Sequence, residues 1–237
     1  MEIKGIFFDL FGTLLIYDDL DRSWDKWRDA FTSSLKSNRA CLDQERVDAI
    51  TSEIFTKPML HREKNLSPYE YRIKEVVSKI GIDLSDDDLG SIAQATVEAW
   101  NEHISLDPEA VPVLEAVGRT KKTALISNFD YPPYIYRILA FYGLDKLFDH
   151  VTVSGEIGVE KPDPAVFKPA LEATGLVAAA TIYIGDSDVD VEGARRAGMI
   201  PIKIMRNKQA GNNPEVREID RLSRIPEYLL RYGDDLW

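Results

Sequence analysis

The sequence predicts an α/β fold in which a parallel β-sheet core carries an inserted α-helical domain. From about residue 107 onwards, short apolar runs alternate with helix-like stretches, which is the pattern of parallel strands joined by helical crossovers. A strand of the same composition opens the chain, and four helical stripes separate it from the rest. We therefore predict an α/β core formed by residues 1–16 and 105–237 and a helical cap formed by residues 17–104.

The predicted cap begins after the first strand, GIFF, and the turn that follows it. Apolar residues then recur at intervals of three and four, as in amphipathic helices that pack into a bundle. Ser85 is the expected N-cap of the last of these helices. The four stripes run from Leu20 to Leu35, Val47 to Ile54, Ile73 to Ile80 and Leu89 to Ile104, with breaks expected near Asn38, at Lys57-Pro58, from Asn65 to Pro68 and from Gly81 to Ser85.

The predicted core resumes with the strand KTALISN and then alternates between the two element types. Further strands are expected at FDHVTVS, TIYIGD and IPIKIM, and helices at YPPYIYRILAFYGL, over residues 163–175 and at VEGARRAG. Crossovers between parallel strands are right-handed, so these elements predict a Rossmann-like sheet. Ligands of such sheets bind at the carboxyl ends of the strands.

Charge and composition limit the expected partners. The formal net charge is −11, which disfavours binding to nucleic acid and to anionic membranes. A small anionic substrate remains possible, but it requires local positive charge, a metal ion or oriented backbone N–H groups. Cys41 is the single cysteine, and we recognise neither a signal peptide nor a bilayer-spanning run, so a cytoplasmic location is expected. The sequence is compatible with a monomer or a homodimer.

Polar side chains follow four of the predicted strands. Taken singly, each has an ordinary explanation, because a strand-end Asp is often a turn former and a Lys among acidic residues is often solvated. Taken together they include two carboxylates that would repel each other unless a cation lies between them, and an all-oxygen site suits Mg²⁺. The residues are Asp9, Ser127 with Asn128, Lys161, and Asp186 with Asp190.

Four motifs, in this order, resemble those of the haloacid dehalogenase-like hydrolase superfamily. They are DLFGT at residues 9–13, LISN with its serine at Ser127, EKPDP around Lys161, and GDSDVDVEGARRAG from residue 185. The order, the spacing and the helical insertion after the first motif agree with the family across the whole chain. The resemblance implies a hydrolase with a Rossmann-like core, a helical cap and an aspartate nucleophile.

The resemblance also implies a role for each motif residue. Asp9 would be the nucleophile that forms an aspartyl-phosphate, with Thr13 bracing the turn and contacting it. Ser127, Asn128 and Lys161 would bind the substrate, and Lys161 would also neutralise charge on the nucleophile.

A Mg²⁺ ion is the cofactor that the resemblance implies. Asp9, Asp186 and the backbone carbonyl of Phe11 would hold the metal. Asp190 would either hold a metal-bound water or orient Lys161.

Phe11 departs from the pattern of the superfamily's phosphatases, which carry an acid–base Asp at this position. The 2-haloacid dehalogenases have an aromatic Tyr there and use no metal, so DLFGT resembles their branch. Against that branch, Asp186 stands where they have a neutral residue, and Phe167 stands where they carry a Tyr. The dehalogenases also require a lid arginine, and none stands out among Arg22, Arg28, Arg39, Arg46, Arg62 and Arg72.

We therefore expect a Mg²⁺-dependent phosphatase that acts on a small soluble substrate. The alternatives are a 2-haloacid dehalogenase-type hydrolase and a binding or regulatory protein with little turnover. A phosphatase without an acid at Phe11 would need an acidic leaving group or a proton from elsewhere. The candidate donors in the predicted cap are Tyr17, Asp18, Asp19 and His61.

Overall fold

A six-stranded parallel sheet forms the centre of the fold and confirms the predicted α/β class. The computed structural model describes residues 2–36, 43–57, 65–206 and 217–232. The strands are β1 Gly5–Phe8, β2 Leu15–Tyr17, β3 Ile104–Leu106, β4 Lys122–Ser127, β5 His150–Val153, β6 Thr181–Gly185, β7 Ile200–Ile204 and β8 Arg217–Ile219. The sheet order is β5-β4-β1-β6-β7-β8, and β2 pairs with β3 in a separate two-stranded sheet.

Strand β1 lies inside the sheet, between β4 and β6. Phe8 at its end is level with Leu125 of β4 and Ile184 of β6. All four β1 residues are buried, which explains the continuous apolar run in the sequence. The polar residues that follow β1, β4 and β6 are therefore brought to one edge of the sheet.

Ten α-helices accompany these strands among the described residues. A helix overlaps each predicted cap stripe, and the helix predicted at VEGARRAG begins earlier, at Asp188. The helices are α1 Leu20–Lys36, α2 Gln44–Phe55, α3 Pro68–Lys79, α4 Asp86–Trp100, α5 Ala110–Gly118, α6 Pro132–Phe141, α7 Ser154–Ile157, α8 Lys168–Thr174, α9 Asp188–Arg196 and α10 Arg224–Tyr232.

The single helix predicted over residues 163–175 is wrong in its first part. Residues Pro164–Phe167 form a 3₁₀ turn, and α8 begins only at Lys168. Pro169 follows directly, and because proline has no N–H, it fits the first turn of a helix but not its interior. Gly175 ends α8 with a φ of 68°, in the left-handed region.

The helices α1 to α4 pack around aromatic side chains. Trp27 stacks on Phe31 with ring centroids 5.0 Å apart, and its indole N–H donates to the hydroxyl of Tyr69. The predicted N-cap at Ser85 is confirmed, since its side chain accepts from the backbone N–H of Asp88 at 3.2 Å. The breaks predicted near Asn38 and at Pro58 fall outside the described residues.

The chain divides into two compact units. The core unit consists of Met1–Ile16, Leu106–Asn128 and Tyr136–Trp237, and the helical unit consists of Tyr17–Ser105 and Phe129–Ile135. The predicted boundaries did not assign the short segment 129–135 to the helical unit. Within that unit Asp130 accepts from the guanidinium of Arg72 at 2.5 Å, and its carbonyl accepts from the N–H of Tyr69 at 3.1 Å.

The last described segment, residues 217–232, adds an edge strand and a helix that the sequence analysis did not predict. Strand β8 has three residues, too few for its alternation to be recognised. Glu109 anchors the start of α10, because its carboxylate accepts from both the N–H and the hydroxyl of Ser223 at 2.9 Å. Among the described residues, no helix is long and apolar enough to cross a membrane.

Candidate active site

Asp9 is fixed at the end of β1 by backbone and side-chain hydrogen bonds. Its N–H donates to the carbonyl of Ile184 at 2.8 Å, which continues the pairing of β1 with β6. One carboxylate oxygen accepts from the Lys161 ammonium at 2.6 Å, and the other accepts from the Thr13 hydroxyl at 3.3 Å. A buried carboxylate held by an ammonium and a hydroxyl has a defined direction in which its lone pairs can react.

The Lys161 ammonium is buried among four acceptor positions. It lies 2.6 Å from Asp9, 2.7 Å from Asp190, 2.9 Å from the Tyr183 hydroxyl and 3.1 Å from the Ile126 carbonyl. An ammonium has three protons, and these fit Asp9, Asp190 and the Tyr183 oxygen, because the Tyr183 hydroxyl can itself donate to Ile126 at 3.0 Å. Burial lowers the pKa of Lys161, but the two carboxylates outweigh burial and hold it above its ordinary value of 10.5.

Asn128 places the backbone of Lys161. Its amide nitrogen donates to the Lys161 carbonyl at 3.0 Å, and its amide oxygen accepts from the Lys161 N–H at 2.9 Å. This two-point contact joins the end of β4 to the loop that carries Lys161. The contact favours a positioning role for Asn128 over the predicted substrate-binding role, which stays a prediction.

Asp190 lies at the start of α9, where it belongs to a capping box. One oxygen accepts from the N–H of Ser187 at 3.0 Å and from its hydroxyl at 2.5 Å, and the other contacts Lys161. Burial raises the pKa of Asp190, but Lys161 and Ser187 outweigh this and keep it below 3.8. A Cβ on Gly185 would lie 2.3 Å from Asp190 Cγ, so glycine is required there for this approach. Of the two predicted roles, the geometry favours orientation of Lys161.

Asp186 completes an acidic cluster. One oxygen from each of Asp9, Asp186 and Asp190 lies within 4.8 Å of the others. Burial raises the pKa of Asp9 to about 7, with Lys161 lowering it and the other two carboxylates raising it. Burial, with Asp190, also raises the pKa of Asp186 to about 6. Burial and the neighbouring carboxylates thus both act against full ionisation of this cluster.

The turn after Asp9 is shaped to accept Asp186. Gly12 has a φ of 84°, which side chains rarely adopt, and a Cβ there would lie 2.2 Å from an Asp186 oxygen. Gly12 therefore serves both the left-handed backbone and the close approach of the carboxylate. This is the physical reason for the glycine in DLFGT.

Ser127 contributes a buried hydroxyl with no hydrogen-bond partner among the described residues. It is the last residue of β4 and is 1% exposed. Leaving a buried hydroxyl unsatisfied costs about 1–3 kcal/mol, so such a group indicates a missing partner. A substrate oxygen would supply one.

The structure therefore brings Asp9, Thr13, Lys161, Asp186 and Asp190 together, with Ser127 and Asn128 at the end of the strand beside β1. The metal role predicted for the Phe11 carbonyl stays a prediction. Of the candidate proton donors, Asp18 accepts from Ser105 at 3.2 Å and Asp19 from the N–H of Arg22 at 3.0 Å, while His61 lies outside the described residues.

Sequence reasoning missed Tyr183. Its hydroxyl reaches Lys161, and its buried ring packs edge-on against Phe167 with centroids 4.8 Å apart. Burial, reinforced by Asp190, raises the pKa of Tyr183 well above 10, so the hydroxyl keeps its proton. Phe167 thus lacks the hydroxyl of the dehalogenase Tyr, but Tyr183 supplies a hydroxyl to Lys161.

Where the structure describes them, the cap arginines contact groups of the helical unit itself. Arg72 is buried and paired with Asp130, and Arg46 donates to the Lys79 carbonyl at 3.3 Å. Arg22 pairs with Asp19, just before α1, and Arg28 pairs with Asp25 within α1, both on the surface. Arg39 and Arg62 lie outside the described residues. Asp188, read from the sequence as solvated, is 96% exposed and contacts Lys203 at 2.5 Å.

An aspartate–lysine pair with an acidic neighbour, at the carboxyl edge of a parallel sheet, is typical of α/β enzymes that work through a strand-end carboxylate. The chain belongs to the haloacid dehalogenase-like hydrolase family, whose model matches residues 3–198. The protein is accordingly a hydrolase, and the family assignment made from the four motifs is confirmed.

The relatives that match the chain include both phosphatases and a dehalogenase. It is 24% identical to the pyrophosphatase PpaX of Halalkalibacterium halodurans over 85% of this chain and 96% of that protein. It is 26% identical to the (S)-2-haloacid dehalogenase of Pseudomonas sp. strain YL over 90% of this chain and 89% of that protein. A glyceraldehyde 3-phosphate phosphatase of Methanopyrus kandleri is 41% identical, over only 39% of this chain and 43% of the relative.

Solved structures show the same fold. A 2-haloacid dehalogenase from Pseudomonas syringae pv. Tomato DC3000 superposes with a TM-score of 0.73 at 24% identity, covering 98% of this chain and 100% of the other. A HAD phosphatase from Thermococcus onnurineus superposes with a TM-score of 0.69 at 22% identity, covering 99% and 100%. The choice between the two chemistries rests on the site of this chain.

Proposed function

We propose that this protein is a Mg²⁺-dependent phosphatase that transfers a phosphoryl group to Asp9 and then to water. The observation that carries the proposal is the cluster of three carboxylates, of which the Lys161 ammonium contacts two, Asp9 and Asp190. A divalent cation relieves such repulsion. A metal-free dehalogenase site gains nothing from a second strand-end carboxylate such as Asp186.

The donor set fits Mg²⁺ because every candidate ligand is an oxygen. Asp9, Asp186 and the backbone carbonyl of Phe11 would hold the ion, which when bound would neutralise charge on the phosphoryl group. Asp190 already accepts from Lys161 and Ser187, so we assign it to Lys161 and not to the metal.

In the proposed reaction the Asp9 carboxylate attacks phosphorus, and the bond from phosphorus to the leaving oxygen breaks with its electron pair on that oxygen. Water then attacks phosphorus of the aspartyl-phosphate, and the bond from phosphorus to the Asp9 oxygen breaks with its electron pair on the restored carboxylate. The protons of the water leave with inorganic phosphate and to solvent. Lys161 remains protonated throughout. Its ammonium balances the negative charge as that charge shifts from Asp9 to the phosphoryl oxygens. The Ser127 hydroxyl, unpartnered among the described residues, donates to one of those oxygens.

Phe11 narrows the proposed substrate class. It has no proton to give to the leaving oxygen, and the loss of a general acid costs about 10²–10⁴-fold in rate when the leaving group is basic. Aryl phosphates and acyl phosphates have acidic leaving groups and lose little. We therefore expect such activated phosphates to be the better substrates.

The test is hydrolysis of p-nitrophenyl phosphate with Mg²⁺ and with chelator. Chelation should reduce the rate to background, and excess Mg²⁺ should restore it. Asp9→Asn should lose at least about 10³-fold in kcat, because the amide is no nucleophile. Asp186→Asn should raise the Mg²⁺ concentration for half-maximal rate at least about tenfold, because one charged ligand is lost.

Asp188→Asn is the matched control, because Asp188 lies two residues from Asp186 but is 96% exposed. It should change neither kcat nor the Mg²⁺ requirement by more than about twofold. A wild-type rate that persists unchanged in chelator would contradict the metal assignment.

The dehalogenase remains the second candidate, and two observations favour it: the aromatic side chain of Phe11 and the hydroxyl that Tyr183 presents to Lys161. Its test is chloride release from 2-chloropropionate without metal. Release at roughly 1 per second or faster would reverse the ranking of the two functions.

A further inference from the structure

Arg206 lies two residues beyond β7, yet its guanidinium reaches the turn that carries Asp9. Its Nε donates to the carbonyl of Gly12 at 3.1 Å, and Nη2 donates to the carbonyl of Thr13. These contacts connect positions 194 and 193 residues apart in the chain. Sequence reasoning gave Arg206 no role.

Asp107 holds the guanidinium from the other side. Its carboxylate pairs with Nη1 of Arg206, and its side chain is only 4% exposed. The Asp107 backbone N–H donates to the carbonyl of Leu14 at 2.9 Å. The pair therefore holds three successive carbonyls of the turn, those of residues 12, 13 and 14.

The turn has few other restraints at these carbonyls. Its own backbone bonds run from Gly12 N–H to Leu15 and from Leu14 and Leu15 N–H to Leu10, at 2.6, 2.9 and 2.8 Å. Because a peptide is planar, holding a carbonyl also fixes the N–H of the next residue, so Arg206 orients the Gly12–Thr13 and Thr13–Leu14 peptides. These two peptides flank Thr13, whose hydroxyl contacts Asp9.

Arginine suits this task better than lysine. Its guanidinium is planar and presents N–H donors in a fixed fork, so one side chain can serve two carbonyls and a carboxylate together. A lysine ammonium could keep the charge pair with Asp107 but not the fork. All three guanidinium nitrogens of Arg206 already have a partner in the protein, which suits the side chain to positioning the turn.

We infer that Arg206, held by Asp107, is a positioning residue that fixes the turn bearing Asp9. It sets the Thr13–Asp9 hydrogen bond and, through that bond, the direction of the Asp9 carboxylate, which is a proposed metal ligand. The part of this inference that concerns metal binding rests on the proposed function, whereas the part that concerns the turn does not.

The first test is amide hydrogen exchange of residues 9–15 in metal-free protein. Arg206→Met should speed exchange of the Gly12, Leu14 and Leu15 amides at least about tenfold, because the carbonyls lose their donors. The double variant with Asp107→Asn removes the unpaired buried charge that Arg206→Met leaves behind, so it should be more stable while its turn amides still exchange fast. Equal exchange in wild type and both variants would overturn the inference.

The second test separates positioning from general stability. In folded Arg206→Met the Mg²⁺ concentration that gives half the maximal thermal shift should rise at least about fivefold, and kcat for p-nitrophenyl phosphate should fall more than KM changes. Arg206→Lys should recover only part of either loss. Fast exchange with unchanged metal response and kcat would also overturn the positioning role.

Arg224→Met is the control, because Arg224 is an arginine of α10 that pairs with Asp220 and Glu227 on an exposed face. It should leave exchange, metal response and kcat unchanged. A wild type that shows no Mg²⁺ response would count against the proposed function alone, and the exchange result would still decide the inference.

Discussion

Phe11 stands where the motif resemblance leads us to expect the acid–base Asp of a phosphatase. It stands two residues after Asp9, on a turn whose other positions follow the motif. Its backbone bridges to Leu15, so the turn retains local pairing with an aromatic side chain in place. The departure therefore concerns chemistry at the leaving group and leaves the backbone of the turn intact.

Phe11→Asp should restore a proton donor beside the leaving oxygen. We expect the rate for an alkyl phosphate to rise at least about tenfold and the rate for p-nitrophenyl phosphate to change little, because only the alkoxide needs the proton. A leaving-group series for both proteins, each confirmed as folded by circular dichroism, measures this. Parallel plots with no selective gain would mean that the proton comes from another group or that phosphoryl transfer is not the reaction.

At this scale the sequence predicted the charged residues better than the residues that support them. Asp9 and Asp186 stand in motifs at strand ends and Lys161 stands in a motif in the loop after α7, so the order and spacing of the motifs were enough to group them. Tyr183 sits inside the buried strand TIYIG, where a tyrosine packs like any other core residue, and its contact with Lys161 depends on the fold. Arg206 acts on a turn 194 residues away, and no local pattern encodes such a contact.

At the scale of elements, the junction of β6 and α9 does most to build the site. Gly185 ends the strand, Ser187 caps the helix, and Asp190 completes the capping box while contacting Lys161. The same carboxylate thus stabilises a helix N-terminus and orients a charged group. The sequence predicted this helix but began it too late, because its first turn is Asp-rich and lacks apolar periodicity.

Gly185→Ala should disturb both roles of this junction. The added Cβ would lie 2.3 Å from Asp190 Cγ, so Asp190 or the helix must move. We expect a loss of about 1–3 kcal/mol in unfolding free energy and at least a tenfold loss of kcat. Gly118→Ala is the control, because a Cβ there meets nothing within 4 Å, and it should be neutral or slightly stabilising. Denaturant titration and p-nitrophenyl phosphate assays measure the two effects, and a fully active Gly185→Ala would contradict the role given to Asp190.

For the whole molecule, the acidic cluster links stability to pH and metal. The folded-state pKa values of Asp9, about 7, and Asp186, about 6, lie above their ordinary value of 3.8. A raised carboxyl pKa means that the folded state binds protons more tightly than the unfolded state. The contribution of these two carboxyl groups to the free energy of unfolding is present in full below pH 3.8. It is lost as the pH rises through 6 and 7.

Metal-free protein should therefore lose thermal stability between pH 5 and pH 8 on account of this cluster, by about 1.4 kcal/mol for each unit of pKa difference titrated. Added Mg²⁺ should raise Tm more at pH 8 than at pH 5, because the ion binds the deprotonated carboxylates. Differential scanning calorimetry of wild type and Asp186→Asn measures both effects. The variant should show a weaker pH dependence, and an identical slope in the two proteins would count against the assignment.

The segment 129–135 has a practical consequence for domain engineering. A cap inserted once after the first strand could be exchanged between relatives with two junctions, whereas this chain passes between its two units four times. Exchanging residues 17–105 alone would separate Arg72 from Asp130, and an unpaired buried charge costs about 3–5 kcal/mol. A chimaera should therefore carry both segments from one parent.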